Sequence, residues 1–158
     1  MSRTSLSEKE VAAVLKRELG NKIRDTEFKP HMYGKKRIFM SIDQDANNDA
    51  IKIMREKFDA RLGTISGVDM GDNLGVVYHL SLDHHGLVVN FKITDIARDS
   101  PKIKTVSDVF PAATYMELEV HDLFGIRFKG NPLKRKWIVA DNWPTGQYPL
   151  RKDYKTGE

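Results

Sequence analysis

The sequence predicts an α/β (α+β) fold, a mixed or antiparallel sheet of about four strands packed with helices and followed by an irregular C-terminal tail. Three observations carry this. Apolar residues recur at helical spacing behind cap signals in the N-terminal third. Leu87, Val89, Phe91 and Ile93 alternate, the period of a strand with one face buried and the other wet. Beyond Gly130, proline and glycine punctuate a stretch with little periodicity. A chain of 158 residues suits one domain, large enough to bury most of its apolar surface. The expected boundaries are a globular α/β domain over 1–130 and an extended tail over 131–158.

Taken in order, Ser7-Glu8-Lys9-Glu10 has the spacing of a capping box. Val11, Val14, Leu15 and Leu19 follow on one helical face, and Gly20 stops the helix. Arg37 to Ile42 reads as a strand after a turn at Gly34. Asn47-Asn48-Asp49 offers N-cap chemistry for a second helix, with Ile51, Met54, Phe58 and Leu62 as its stripe and Gly63 as its end. Thr64 to Val68 is a short β-branched strand, and Gly71-Asp72-Asn73 a turn cluster. Leu74 to Leu82 and Leu87 to Thr94 flank Asp83-His84-His85-Gly86, a hairpin-like connection. The two early helices are expected to cover one face of the sheet. Asp99-Ser100-Pro101 breaks the chain, Val106 to Phe110 reads as a short helical segment, and Pro111 suits a first helical position. That helix runs to Phe124, and Gly125 supplies a left-handed stop.

Composition narrows the function. Apolar content of 40% with 30% charged residues is that of a soluble globular protein. No run of eighteen apolar residues is present, and Met1-Ser2-Arg3-Thr4-Ser5 lacks the apolar core of a signal peptide, so a cytoplasmic location is expected. There is no cysteine, which excludes disulfides, thiolate nucleophiles and cysteine-ligated iron–sulfur clusters in this chain. The net charge of +4 is uneven. From Arg127 onward there are eight basic and three acidic residues, against 18 basic and 19 acidic before it. A basic tail can meet nucleic acid, an anionic membrane surface or an acidic protein partner.

The candidate chemistry centres on the last helix. Glu117 and His121 share one face, Glu119 and Asp122 another. A metal site there would have a glutamate and a histidine, with no second histidine on the helix and no cysteine in the chain. Docking of a basic partner surface is the preferred use of these carboxylates, and bonds to neighbouring backbone the plain structural one. His84 and His85 sit in a turn; His31 and His79 are isolated. Gly63, Gly67, Gly71 and Gly75 lack the following helix and Gly-Lys-Ser/Thr ending of a phosphate loop, and mark turns and strand irregularities. In the tail, Arg135, Lys136 and Trp137, then Arg151 and Lys152, interleave charge with aromatic rings. Single-stranded RNA is one occupant for such a pattern. An acidic protein partner gripped by bidentate arginine is another. A small metal-dependent enzyme is a third reading.

Two motifs add a resemblance. Glu117, Glu119, Asp122, Leu123, Phe124, Gly125 and Ile126 form one block; Phe128, Gly130, Pro132 and Arg135 extend it; Pro149-Leu150-Arg151-Lys152-Asp153-Tyr154 closes it. Together they resemble the 30 kDa subunit family of respiratory complex I (NADH:quinone oxidoreductase) and of the related membrane-bound energy-converting nickel–iron hydrogenases. Asp69, after Thr64-Ile65-Ser66-Gly67-Val68, looks like the family's aspartate at the end of a central strand. The similarity spans Thr64 to Tyr154. Asn131 stands where the family usually has histidine, Lys136 replaces a second arginine, and Leu118 stands where arginine is frequent.

The resemblance implies a cofactor-free accessory subunit of a peripheral arm, on the cytoplasmic side of the membrane, within a hetero-oligomer and with no activity alone. Iron–sulfur clusters, and a nickel–iron centre or quinone, are expected in partner subunits. The tail is expected to lie on the large catalytic subunit near an iron–sulfur subunit. Glu117, Glu119, Asp122, Arg135, Trp137, Arg151, Lys152, Asp153 and Tyr154 are the expected partner-interface residues, and Asp69, Gly125 and Pro132 the structural ones. The tail is expected to be poorly ordered until it meets the partner. Ending soon after the motif, without a fused large subunit, the chain looks more like hydrogenase-type or archaeal complexes than mitochondrial ones. The same role in an NADH or other donor:quinone oxidoreductase is the alternative, and a free-standing nucleic-acid-binding module a further one.

Overall fold

The computed structural model describes residues 5–30 and 36–156. Elements follow in the order α1 (Glu8–Leu19), β1 (Ile23–Lys29), β2 (Lys36–Ile42), α2 (Asn47–Phe58), β3 (Arg61–Asp69), β4 (Asn73–Leu82), β5 (Leu87–Ala97), β6 (Lys102–Lys104), α3 (Ala113–Phe124) and β7 (Arg127–Lys129). The main sheet has the order β1-β2-β5-β4-β3, and β6 pairs with β7 in a separate parallel ladder. Within the main sheet β2 and β5 run parallel and the other pairs antiparallel.

Register explains which face is buried. Ile38 lies opposite Val89 and Val89 opposite Leu80; Met40 lies opposite Phe91 and Phe91 opposite Tyr78. These side chains are inaccessible and share one core with Val11 and Leu15 of α1 and Ile51, Met54 and Phe58 of α2. Alternation in the strands and the helical stripes thus meet as the sequence predicts. At the start of α1 the capping box forms, with Glu10 N–H bonded to Ser7 Oγ and Ser7 N–H to Glu10 Oε2.

Four expectations change. The main sheet has five strands, not four, because β1 escapes notice: Arg24, Asp25, Glu27 and Lys29 make this edge strand polar and largely exposed, so it carries no apolar alternation. Charged edges resist pairing with other chains. Helix α2 ends at Phe58 with Asp59 in the left-handed region at φ 49°, a conformation aspartate tolerates, while Leu62 and Gly63 belong to β3. Asn47 and Asn48 are not caps; they lie buried in the first turn of α2. Their side-chain amides donate to Lys104 O, Tyr78 Oη, Thr105 O and Asp108 Oδ1, tying α2 to the β6 segment. Residues 106–110 form a hydrogen-bonded turn, and α3 starts at Ala113, two residues after Pro111. The turn at Gly34 and His31 lie outside the described residues.

The glycines of the middle strands have specific work. Gly63 and Gly75 sit at register shifts in β3 and β4. Gly67 admits a ring: a Cβ there would overlap the Phe124 ring, so its absence lets α3 pack onto β3.

Candidate partner interface

The motif residues converge where the end of α3, the end of β3 and the tail meet. Among the described residues 131–156 there is no helix or strand, yet the segment is tied to the domain at several points. Asp122, on the last turn of α3, is buried. Its Oδ2 accepts from the backbone N–H groups of Trp137 at 2.7 Å, Ile138 at 2.8 Å and Val139 at 3.4 Å. Successive amides converging on one carboxylate form an anion nest, here filled by the chain itself. Trp137 is set beside Tyr115 with ring centroids 4.6 Å apart, and the Arg135 guanidinium lies over its ring.

A second knot lies at the tail's end. Asp69, last residue of β3, accepts from Arg98 Nη1, from Gly71 N–H and from Lys152 N–H, each at 2.8 Å. Arg98 then reaches Asp153 with its other terminal nitrogen at 2.7 Å. Arg98 and the two amides hold the Asp69 carboxyl well below the usual range, against the opposing effect of burial; Arg98 also lowers that of Asp153. Arg151 donates from Nε to Phe124 O at 2.7 Å and stacks on Tyr148, while Leu150 N–H bonds Leu123 O. Two C-terminal carbonyls of α3, those of Leu123 and Phe124, are thereby satisfied by the Pro149–Tyr154 motif.

Glu117 forms a third knot. It is wholly inaccessible, so it is not the partner-surface residue expected from its helix face. Oε1 accepts from Val106 N–H at 2.8 Å, and Oε2 from Thr105 Oγ1 at 2.6 Å and Asn131 Nδ2 at 2.8 Å. Burial raises its pKa, and the three donors offset this only in part. In the window between the ordinary glutamate value and this raised one, the folded state binds the proton first. Glu117 therefore favours folding as pH falls through that window and opposes it as pH rises. Glu117→Gln should flatten that slope. It should also cost about 1–3 kcal/mol at neutral pH, because the new amide must point a donor at donors. Urea titrations at several pH values measure both; an unchanged slope would contradict the buried-carboxylate account.

Of the remaining expected site residues, Glu119 and Pro132 are exposed and join none of the knots. Lys152 uses only its backbone amide, and Tyr154 stacks on Trp143. Asp122 also turns inward, so of the three helix carboxylates Glu119 alone faces solvent. Sequence reasoning missed Arg98, Thr105 and Tyr148, which sit outside the motifs; Arg98 and Thr105 reach carboxylates 29 and 12 residues away, while Tyr148 stacks with nearby Arg151. Asn131, noted as a departure from the family, proves to be a partner of Glu117. No group of three or more His, Cys, Asp or Glu among the described residues is placed to hold a metal ion.

The family model described as respiratory-chain NADH dehydrogenase, 30 Kd subunit, matches residues 40–158. The chain belongs to this family. Relatives include an NADH-quinone oxidoreductase subunit of Chloroherpeton thalassium, 35% identical over 92% of this chain and 60% of that protein. Another NADH-quinone oxidoreductase subunit, from Phocaeicola vulgatus, is 38% identical over 68% of this chain and 21% of its own length. Membrane-bound hydrogenase subunit beta of Pyrococcus furiosus is 30% identical over 80% of this chain and 75% of that protein. The chain thus spans less than two thirds of the first two. Among solved structures, the membrane-bound sulfane sulfur reductase, an archaeal respiratory membrane complex, superposes with a TM-score of 0.79 at 26% identity, covering 93% of this chain and 85% of the matched one. These relatives are subunits of oxidoreductase complexes, and none supports the nucleic-acid alternative. No helix among the described residues is long and apolar enough to cross a membrane.

Proposed function

We propose that this chain is a cofactor-free accessory subunit in the peripheral arm of a membrane-bound electron-transfer complex of the energy-converting hydrogenase type. It lies on the cytoplasmic side of the membrane. Its 131–158 tail and the adjacent face of α3 dock on the large catalytic subunit, beside an iron–sulfur subunit; the clusters and the nickel–iron centre belong to those partners. One observation carries the reading. The motif carboxylates Asp69, Glu117 and Asp122 are all engaged by the chain's own donors, and the tail they fix carries exposed apolar groups, Trp137 set beside Tyr115 of α3, then Ile138 and Leu150. That is an arrangement for shaping a surface and not for turning over a substrate. The same role in a donor:quinone oxidoreductase is the second reading, favoured by the coverage of the Chloroherpeton thalassium protein.

Arg151 provides the test. Arg151→Ala removes the bond to Phe124 O and the stack on Tyr148, so the docking surface loses its base. Retention of the subunit in the purified complex should fall roughly tenfold or more, with activity per fully assembled complex unchanged. Arg151→Lys should restore only part, since an ammonium lacks the planar stack. Collapse of activity with assembly complete would overturn the scaffold reading.

A further inference from the structure

The β6–β7 ladder stacks like charges. Lys102 lies directly opposite Arg127 and Lys104 opposite Lys129, while Ile103 and Phe128 between them point into the core. Like charges in register weaken a strand pair. None of these four exposed cations forms an ion pair with a described carboxylate; Lys104 bonds Asn48 Oδ1 and Arg127 bonds Ser100 Oγ. Beside the ladder, between α3 and the segment after β7, runs an open groove of about 810 Å³. Lys102, Arg127, Lys129, Lys134, Arg135 and Lys136 line it. Its two carboxylates, Glu117 and Asp122, are each engaged by three internal donors. Those donors are neutral, so both carboxylates can still carry charge, but the six cations outnumber them and the groove is net positive.

We propose that this groove receives an extended acidic segment of a partner subunit, a contact that adjoins the Trp137 surface through Arg135; the identity of the owner of that segment rests on the accessory-subunit reading above. Several features select a polypeptide. The space is far larger than one inorganic anion needs, and the cations are strung along it. Leu118 and Leu133 lie in the same lining and give apolar contacts that suit a peptide mixing carboxylates with aliphatic side chains, not a sugar–phosphate backbone. The unfavourable in-register cations are the counterpart of this use: they weaken the free ladder and are relieved when the acidic segment arrives.

The test uses the full chain and a labelled peptide of aspartate, glutamate and leucine. Controls are its asparagine–glutamine counterpart, poly(U) RNA and phosphatidylglycerol vesicles. The acidic peptide should bind in preference to all three, with affinity falling as salt rises. Lys102→Glu with Lys129→Glu should weaken it about tenfold or more while the melting temperature stays level or rises, because the like-charge pairs are relieved. Lys16→Glu with Lys52→Glu, the same change of charge at exposed helix positions, should leave binding within about twofold. In the purified complex the groove variant should dissociate at lower salt than wild type. Absent peptide binding, equal loss in the two double variants, or tighter binding of RNA or vesicles overturns the proposal. If the groove variant stays in its membrane complex at wild-type salt, the groove contact fails and the accessory reading stands. If the wild-type chain joins no membrane complex while peptide binding behaves as expected, the accessory reading fails and the groove's preference for acidic peptide is supported.

Discussion

Asp69→Ala is expected to destabilise the domain by about 2–4 kcal/mol and to free the end of the tail. The side chain is nearly inaccessible and serves three donors, so alanine leaves the Gly71 and Lys152 amides without an acceptor and deprives Arg98 of its buried partner. Arg98 keeps Asp153, which limits the loss. For a chain of this size the melting temperature should drop by roughly 5–15 °C. The pH dependence supplies a second signature. The folded-state pKa of Asp69 is depressed below its unfolded value, so its contribution is present above the ordinary carboxylate range and is lost as pH falls through the folded value. Wild type should therefore lose more stability on acidification than the variant. This sign is opposite to that of Glu117, so the two substitutions should tilt the stability profile in opposite directions. Hydrogen exchange locates the effect, with protection of the Lys152 amide lost first. Unchanged melting and unchanged protection would remove Asp69 from the role given to it here.

That expectation differs from the one the bare sequence supports for the tail. Its basic excess and lack of periodicity predict order only on a partner. The amides of Trp137, Ile138, Leu150 and Lys152 nevertheless have acceptors inside the chain, so order at those points does not wait for one. Periodicity cannot reveal this, because the acceptors are single carboxylates and carbonyls far away in sequence. Lys152 and Asp69 are 83 residues apart.

The same distinction separates what was legible from what was not. Helix α1 is legible because both its cap and its stripe are local. The central strands β4 and β5 are legible because burial of one face imposes a period of two. Strand β1 is hidden because an edge strand needs no apolar alternation, and the end of α2 is hidden because Phe58 and Leu62 fall by chance at helical spacing across a left-handed Asp59. At the site, the resemblance singled out Asp69, Asp122 and Arg151, but it gave Asp122 and Arg151 to a partner; Arg98, which carries no motif, had no local signal. Asn47 and Asn48 show the converse case, a correct view of polar residues at a helix start and the wrong partners, because capping competes with longer-range bonds.

Gly125→Val is the second substitution with a large expected effect. Gly125 ends α3 at φ 78°, and its N–H bonds His121 O, so a side chain there meets the left-handed penalty of about 1–2 kcal/mol. It also meets the tail: a Cβ would lie 2.5 Å from Cε2 and Cζ of Tyr148 and 2.7 Å from the Arg151 guanidinium. Relieving that overlap means moving Tyr148 and Arg151 off the end of α3, which breaks the Arg151–Phe124 bond and adds about 1–3 kcal/mol. Gly86 separates the two contributions. It has φ 63° and open space around a Cβ, so Gly86→Ala carries the conformational penalty alone. Gly125→Ala should cost more than Gly86→Ala by the contact component, and that excess should shrink in a Tyr148→Ala background. Equal penalties at the two glycines would mean that the tail yields freely. The Pro149–Tyr154 motif would then lie loosely on the domain, and the closure of α3 by Arg151 would lose its basis.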